Sequence, residues 1–184
     1  MDLKKAAICA LGAVVLGLAV LLAVNWFRDA DSYALPEDMC GVIAPASLEP
    51  LLPDGDEIEM RNADVSSAAN VLQECQFIVD HDGALTTVVM EWNGDESVVE
   101  RYNETPAAYG FVGSETTLAN ELAVVGSDGS LVQVACPGRG ENVTIQINVL
   151  YHAAGTHGQD KDRRNVETFT KELIPLYSDE YGCG

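Results

Sequence analysis

The sequence predicts an α+β domain, one antiparallel sheet packed by helices and held by two disulfides, carried behind an N-terminal transmembrane helix. Three observations predict it. An uncharged apolar run occupies residues 6–27. Two stretches, 71–92 and 143–149, carry the alternation and β-branched content of sheet strands. Four cysteines, Cys40, Cys75, Cys136 and Cys183, lie beyond the run, an even number suited to bridges.

The run Ala6 to Phe27 has Asn25 as its one clearly polar side chain. At about 1.5 Å rise per residue it is roughly 30 Å long, the thickness of a hydrocarbon core. Lys4 and Lys5 precede it and Arg28, Asp29 and Asp31 follow, so the positive-inside rule places residues 1–5 in the cytoplasm and the bulk of the chain outside. A cleaved signal peptide fits less well. The run is long for an h-region, and Trp26 and Phe27, which suit an interfacial aromatic anchor, stand where a small-residue cleavage site would be. A lipoprotein signal needs a cysteine just after the run, but Cys9 lies near its start and Cys40 beyond a polar stretch.

Residues 28–38, RDADSYALPED, then read as a linker, and residues 39–184 as one extracytoplasmic domain with room for a hydrophobic core. The chain has a net charge of -19, and all 29 acidic residues except Asp2 follow the apolar run. That sign excludes a nucleic-acid partner and adhesion to anionic headgroups, both of which require a Lys/Arg surface. It reads otherwise as a solvated, soluble surface.

Cysteine usage agrees with an oxidising compartment. Four cysteines allow three pairings. Cys40 with Cys75 and Cys136 with Cys183 is favoured, because Cys40 begins the domain and Cys183 ends it, and each bridge would tie a loose end to an internal strand. Free buried thiols are the alternative. Zinc lacks a CxxC or HxxxH spacing, and Cys9 reads as a small apolar filler within the anchor.

Along the domain, Pro45 suits the first turn of a short helix containing Leu48, Leu51 and Leu52, stopped by Pro53 and Gly55. Residues 57–65 form a weak strand pattern. In 71–80, Val71, Cys75, Phe77 and Val79 fall on one face and Glu74 and Gln76 on the other, and residues 71–92 read as a hairpin through His81-Asp82-Gly83. A weak helix follows from Asp95, as N-cap, to about Tyr102, with Pro106 as its stop. Two apolar runs around Gly126-Ser127-Asp128-Gly129, and then Val143, Ile145, Ile147 and Val149 alternating with polar residues, read as a three-stranded meander. Val166, Phe169, Leu173 and Tyr177 mark a final helix from about Asp160 to Tyr177, bent or ended by Pro175.

These residues carry a family resemblance. Cys40 is followed by Ala44-Pro45-Ala46-Ser47-Leu48 and Leu51-Leu52-Pro53; Glu74-Cys75-Gln76-Phe77 sits in an early strand, Val134-Ala135-Cys136-Pro137 ends a later one, and Gly182-Cys183 closes a helix. In this order, residues 39 to 184 resemble an actinobacterial family of lipoproteins and membrane-tethered extracytoplasmic domains of unknown function. The resemblance implies a PsbP-like α+β sandwich and the same cysteine pairing. The chain departs from the lipoprotein members in lacking the lipobox cysteine.

Chemistry-bearing residues are few. The histidines are His81 in a turn, His152 at a strand end and His157 in the loop Gly155-Thr156-His157-Gly158. No G-x-S-x-G, glycine-rich phosphate loop or GxGxxG occurs, so neither a serine hydrolase nor nucleotide chemistry is supported, and no cofactor is expected. Asp54-Gly55-Asp56-Glu57 and Gly126-Ser127-Asp128-Gly129 carry carboxylates of the kind that bind calcium, but neither has the ligand spacing of a calcium loop, and both read as ordinary turns. The expectation is therefore a non-enzymatic, membrane-anchored domain that binds a small apolar ligand or an envelope protein. Two other readings stand beside it: an envelope enzyme using His152 or His157, and a structural component of an envelope or secretion assembly, which predicts an apolar surface patch.

Overall fold

The computed structural model describes residues 33–62, 71–92, 97–137, 141–149 and 159–183. The expected transmembrane helix lies outside the described residues, and no helix among the described residues is long and apolar enough to cross a membrane.

The described chain is an α+β fold with one large antiparallel sheet. It opens with a small ribbon, β1 (Asp38–Met39) and β2 (Val42–Ile43), joined through Cys40 and Gly41. A 3-10 helix at Ala46–Leu51 follows. The sheet is then built from β3 (Ile58–Asn62), β4 (Val71–Val79), β5 (Asp82–Trp92), β6 (Gly113–Leu118), β7 (Glu121–Gly126), β8 (Gly129–Cys136) and β9 (Glu141–Val149), paired in the order β3-β4-β5-β9-β8-β7-β6. Helix α1 (Val98–Glu104) and a 3-10 helix at Pro106–Tyr109 lie between β5 and β6, and α2 (Gln159–Tyr181) closes the chain.

Strand alternation gives the sheet two faces. One carries Cys75, Phe77, Leu85, Val89, Val132, Val134, Ile145 and Ile147, which pack with Val166, Phe169, Leu173 and Tyr177 of α2 and with Leu48 and Leu51 of the first 3-10 helix. This is the main core. The other face carries a smaller cluster in which Val98, Val99 and Tyr102 of α1 and Phe111 cover Val124 and Leu131 of β7 and β8. A Cβ on Gly129 would collide with the Phe111 ring, and one on Gly126 with the Val112 carbonyl beside that ring. The sheet is thus sandwiched between unequal helical layers.

Several expected elements take a different form. Residues 33–38 belong to the fold rather than to the linker, because the Tyr33 hydroxyl donates to the Pro53 carbonyl at 2.6 Å and Ala44 N–H donates to the Glu37 carbonyl at 3.0 Å. The helix after Pro45 is 3-10, with Pro45 as its N-cap and Pro50 inside it, where a proline cannot serve the α pattern. The β4–β5 hairpin turns at Asp80-His81, one step before the expected loop: Val79 pairs with Asp82, and both turn residues have positive φ, 49° and 73°. The resulting phase error is absorbed by register shifts. Phe77 pairs with Leu85 and Ile78 with Gly83, so Ala84 is the extra residue that returns Leu85, Thr87 and Val89 to the core side. A second shift at Leu72 turns Val71, expected beside Cys75, to the opposite face as the partner of Met90.

Helix α1 is capped by Ser97 instead of Asp95. The Ser97 hydroxyl accepts from Glu100 N–H at 3.2 Å and the Glu100 carboxylate accepts from Ser97 N–H at 2.9 Å, a reciprocal capping box. Pro106 does not merely stop this helix but begins the following 3-10 turn. The meander has four strands, because β6 pairs along its whole length with β7 through an Ala119-Asn120 turn. Helix α2 runs on past Pro175 to Tyr181. Pro175 and Lys171, whose carbonyl loses its donor there, are both exposed, so water can satisfy the break. The helix ends where Gly182 adopts φ 68° and the N–H groups of Gly182 and Cys183 return to the carbonyls of Asp179 and Ser178, a Schellman closure.

Between α2 and the sheet a buried polar contact interrupts the apolar packing. Ser130 and Thr170 hydroxyls lie 2.6 Å apart, and Thr170 donates to the Val166 carbonyl, which leaves Ser130 as donor to Thr170. Thr170→Val strands the Ser130 hydroxyl and is expected to cost about 2 kcal/mol in denaturant unfolding. The double variant S130A/T170V is expected to cost no more than T170V; strict additivity of the two single losses would show that the pair does not act as a unit.

Candidate functional site

The four predicted cysteines occupy two corners of the core. Cys40 is bridged to Cys75 and Cys136 to Cys183, at sequence separations of 35 and 47. Each bridge joins an end of the domain to a strand. At the first corner, Cys40 takes the left-handed turn position (φ 51°) of the β1–β2 ribbon, and its N–H points at Met60 Sδ, 3.3 Å away. The Gln73 amide on β4 donates to the Cys40 carbonyl and accepts from the Tyr181 hydroxyl at 3.2 Å, so one side chain links the first ribbon to the last turn of α2. At the second corner, the Schellman closure of α2 aims Cys183 at Cys136, the last residue of β8.

His81 is exposed and in the left-handed region at the β4–β5 turn. His152 and His157 lie outside the described residues. The first acidic turn is organised by Asp80, whose carboxylate accepts from the N–H groups of Asp56 and Glu57, both at 3.0 Å. Gly55 sits against Val79 and that same carboxylate, leaving no room for a Cβ. The Asp80 carboxylate thus serves as a turn clamp. In the second acidic turn, the Asp128 carbonyl accepts from Val149 N–H at 2.9 Å and continues the sheet. Among the described residues no three His, Cys, Asp or Glu side chains are grouped to hold a metal ion.

Two tyrosines have perturbed acidity. Burial, and then the carboxylates of Asp54, Asp80 and Glu49, pushes the Tyr33 phenol up to about 12. Burial raises Tyr177, which packs from α2 onto the sheet beside Thr87. Both act as neutral packing groups with a polar tip.

One region was not anticipated. On the face opposite α2, β5 and β9 pair Thr86 with Asn148, Val88 with Gln146 and Met90 with Thr144. Thr144, Gln146 and Asn148 read as the polar members of an alternating strand, and only the β5–β9 pairing sets Thr86, Val88 and Met90 beside them. The signal available in the sequence was that none of the six is charged.

Compared with protein-family models, with curated proteins and with solved structures, the chain matches none.

Two outcomes test the corners and the buried phenols. Removing the second bridge with C136A/C183A is expected to lower stability by about 4 kcal/mol, from the loop it closes, measured by denaturant unfolding without reductant. Because the folded pKa of Tyr33 lies above its unfolded value near 10, its contribution is fully present below about pH 10 and is lost as pH rises towards about 12. Tyr33→Phe should reduce the alkaline loss in that window, leaving the part due to Tyr177; an unchanged pH profile would count against this assignment.

Proposed function

We propose that the chain is a non-enzymatic domain held on the outer side of a membrane by residues 6–27, where it binds a small ligand or an envelope partner. The observation that carries this reading is the pair of disulfides, which clamp both ends of the domain to its sheet. Such bridges form and persist outside the reducing cytoplasm. The lysines before the apolar run and the acidic residues after it favour the same orientation. The acidic surface supports a soluble ectodomain with no affinity for nucleic acid. Actinobacterial membrane-tethered domains, which residues 39 to 184 resemble, supply the matching biological setting.

Thiol titration of the denatured chain tests the compartment. Of the five cysteines, Cys9 alone should react before reduction and all five after it. A membrane-impermeant label applied to intact cells should modify the domain but not the tail before residue 6. Four or five reactive thiols, or a domain shielded from the label, would overturn the placement. Native mass spectrometry after gentle detergent extraction tests the binding role: a bound small molecule or a stoichiometric envelope protein is expected, and a ligand-free, partner-free chain would overturn it.

A further inference from the structure

The six-residue strip on β5 and β9 differs from the rest of this acidic molecule. Its pairs, Thr86 with Asn148, Val88 with Gln146 and Met90 with Thr144, are uncharged in a chain of net charge -19. Helix α1 lies over β7 and β8, and the 3-10 helix after it reaches the edge of the strip, where Gln146 Nε2 donates to the Tyr109 carbonyl at 3.3 Å. Charge returns on the far side at Glu74 of β4, the cross-strand partner of Val88, and beyond it at the Arg61–Glu59 pair of β3. Val88, Met90, Gln146 and Asn148 are half-buried, while Thr86 and Thr144 are buried. Thr144, fully buried, has a hydroxyl with no hydrogen-bond partner among the described residues, and the buried Asn148 Oδ1 likewise has none.

Buried polar atoms without partners are rare in native folds, and each calls for one. We propose that this strip is the floor of a binding site for an uncharged, polyhydroxylated ligand, a segment of neutral glycan. The proposal rests on the reading of the chain as an extracytoplasmic binding domain and gives that reading a ligand class. Amides and hydroxyls both donate and accept, which matches sugar hydroxyls. Val88 and Met90 between them offer apolar contact to the C–H faces of a pyranose ring. A lipid tail would leave the oxygens of Thr144 and Asn148 buried and unpaired. An anionic polymer would meet the acidic field around the strip with no cation on the strip to bind it.

The test titrates the full chain, in a zwitterionic detergent free of sugar headgroups, with chitotetraose, cellotetraose and mannotetraose. Saturable binding of at least one is expected by calorimetry, with hydrogen-exchange protection confined to β5, β9 and the Tyr109 turn. Gln146→Ala, at a half-exposed position, should weaken it about five- to tenfold with the unfolding temperature kept. Val88→Asp, a second variant at the strip, should abolish it. No binding by any of the three up to about 10 mM, protection elsewhere, or an unaffected Gln146→Ala variant would overturn the assignment. A lipid or protein recovered from the extracted chain, with no sugar bound, overturns the glycan class while leaving the binding-domain reading in place. A chain that binds neither sugar, lipid nor partner overturns both.

Discussion

The pairing of β5 with β9 is the contact on which the rest of the fold depends. On one side of it, β3, β4 and β5 are joined in chain order, and on the other so are β6, β7, β8 and β9. Each set is assembled from neighbours in sequence. Only the β5–β9 ladder, eight residue pairs from Leu85–Val149 to Trp92–Asn142, makes one sheet of them. It brings Leu85 and Val89 alongside Ile145 and Ile147, which gives α2 a single apolar surface to cover. Because it joins segments far apart in the chain, it carries the largest loop-closure cost of the strand pairings, and burial of the core must offset it.

The disulfides act at the rim of this arrangement and leave its centre to packing. Cys40–Cys75 fastens the leading ribbon beside β4, and Cys136–Cys183 fastens the end of α2 beside β8. Gln73 completes the first clamp by touching both chain ends of the domain. The two bridges and this amide protect the places where a domain ordinarily frays. The centre of the sheet needs no such help, since its residues are already buried on the α2 side.

Much of this was legible in the residues, and the exceptions have physical causes. Alternation at Val143, Ile145, Ile147 and Val149 and the helical spacing of Val166, Phe169, Leu173 and Tyr177 read directly, because one buried side imposes one period. Phase within the hairpin did not, since the register shifts at Leu72 and Ala84 leave no mark in an apolar run. The turns at Asp80-His81 and Ala119-Asn120 place non-glycine residues at positive φ, whereas turn rules look first for Asn-Gly or Asp-Gly. Strand β6 was missed because an edge strand of Ser, Glu and Thr has little apolar content to signal it. The Ser97–Glu100 capping box was readable and was passed over in favour of Asp95. The uncharged strip belongs to a different class, since its members are ordinary one at a time and acquire meaning only by being placed side by side.

Tyr33 sets a geometric limit of its own. Tyr33, fastened to Pro53, marks where the described fold begins. Under the proposed anchor ending at Phe27, the backbone between would span at most about 20 Å, and the domain would stand as a stub on the bilayer that samples a shallow layer of the envelope. The residues before Met39 would then set the depth at which the molecule operates.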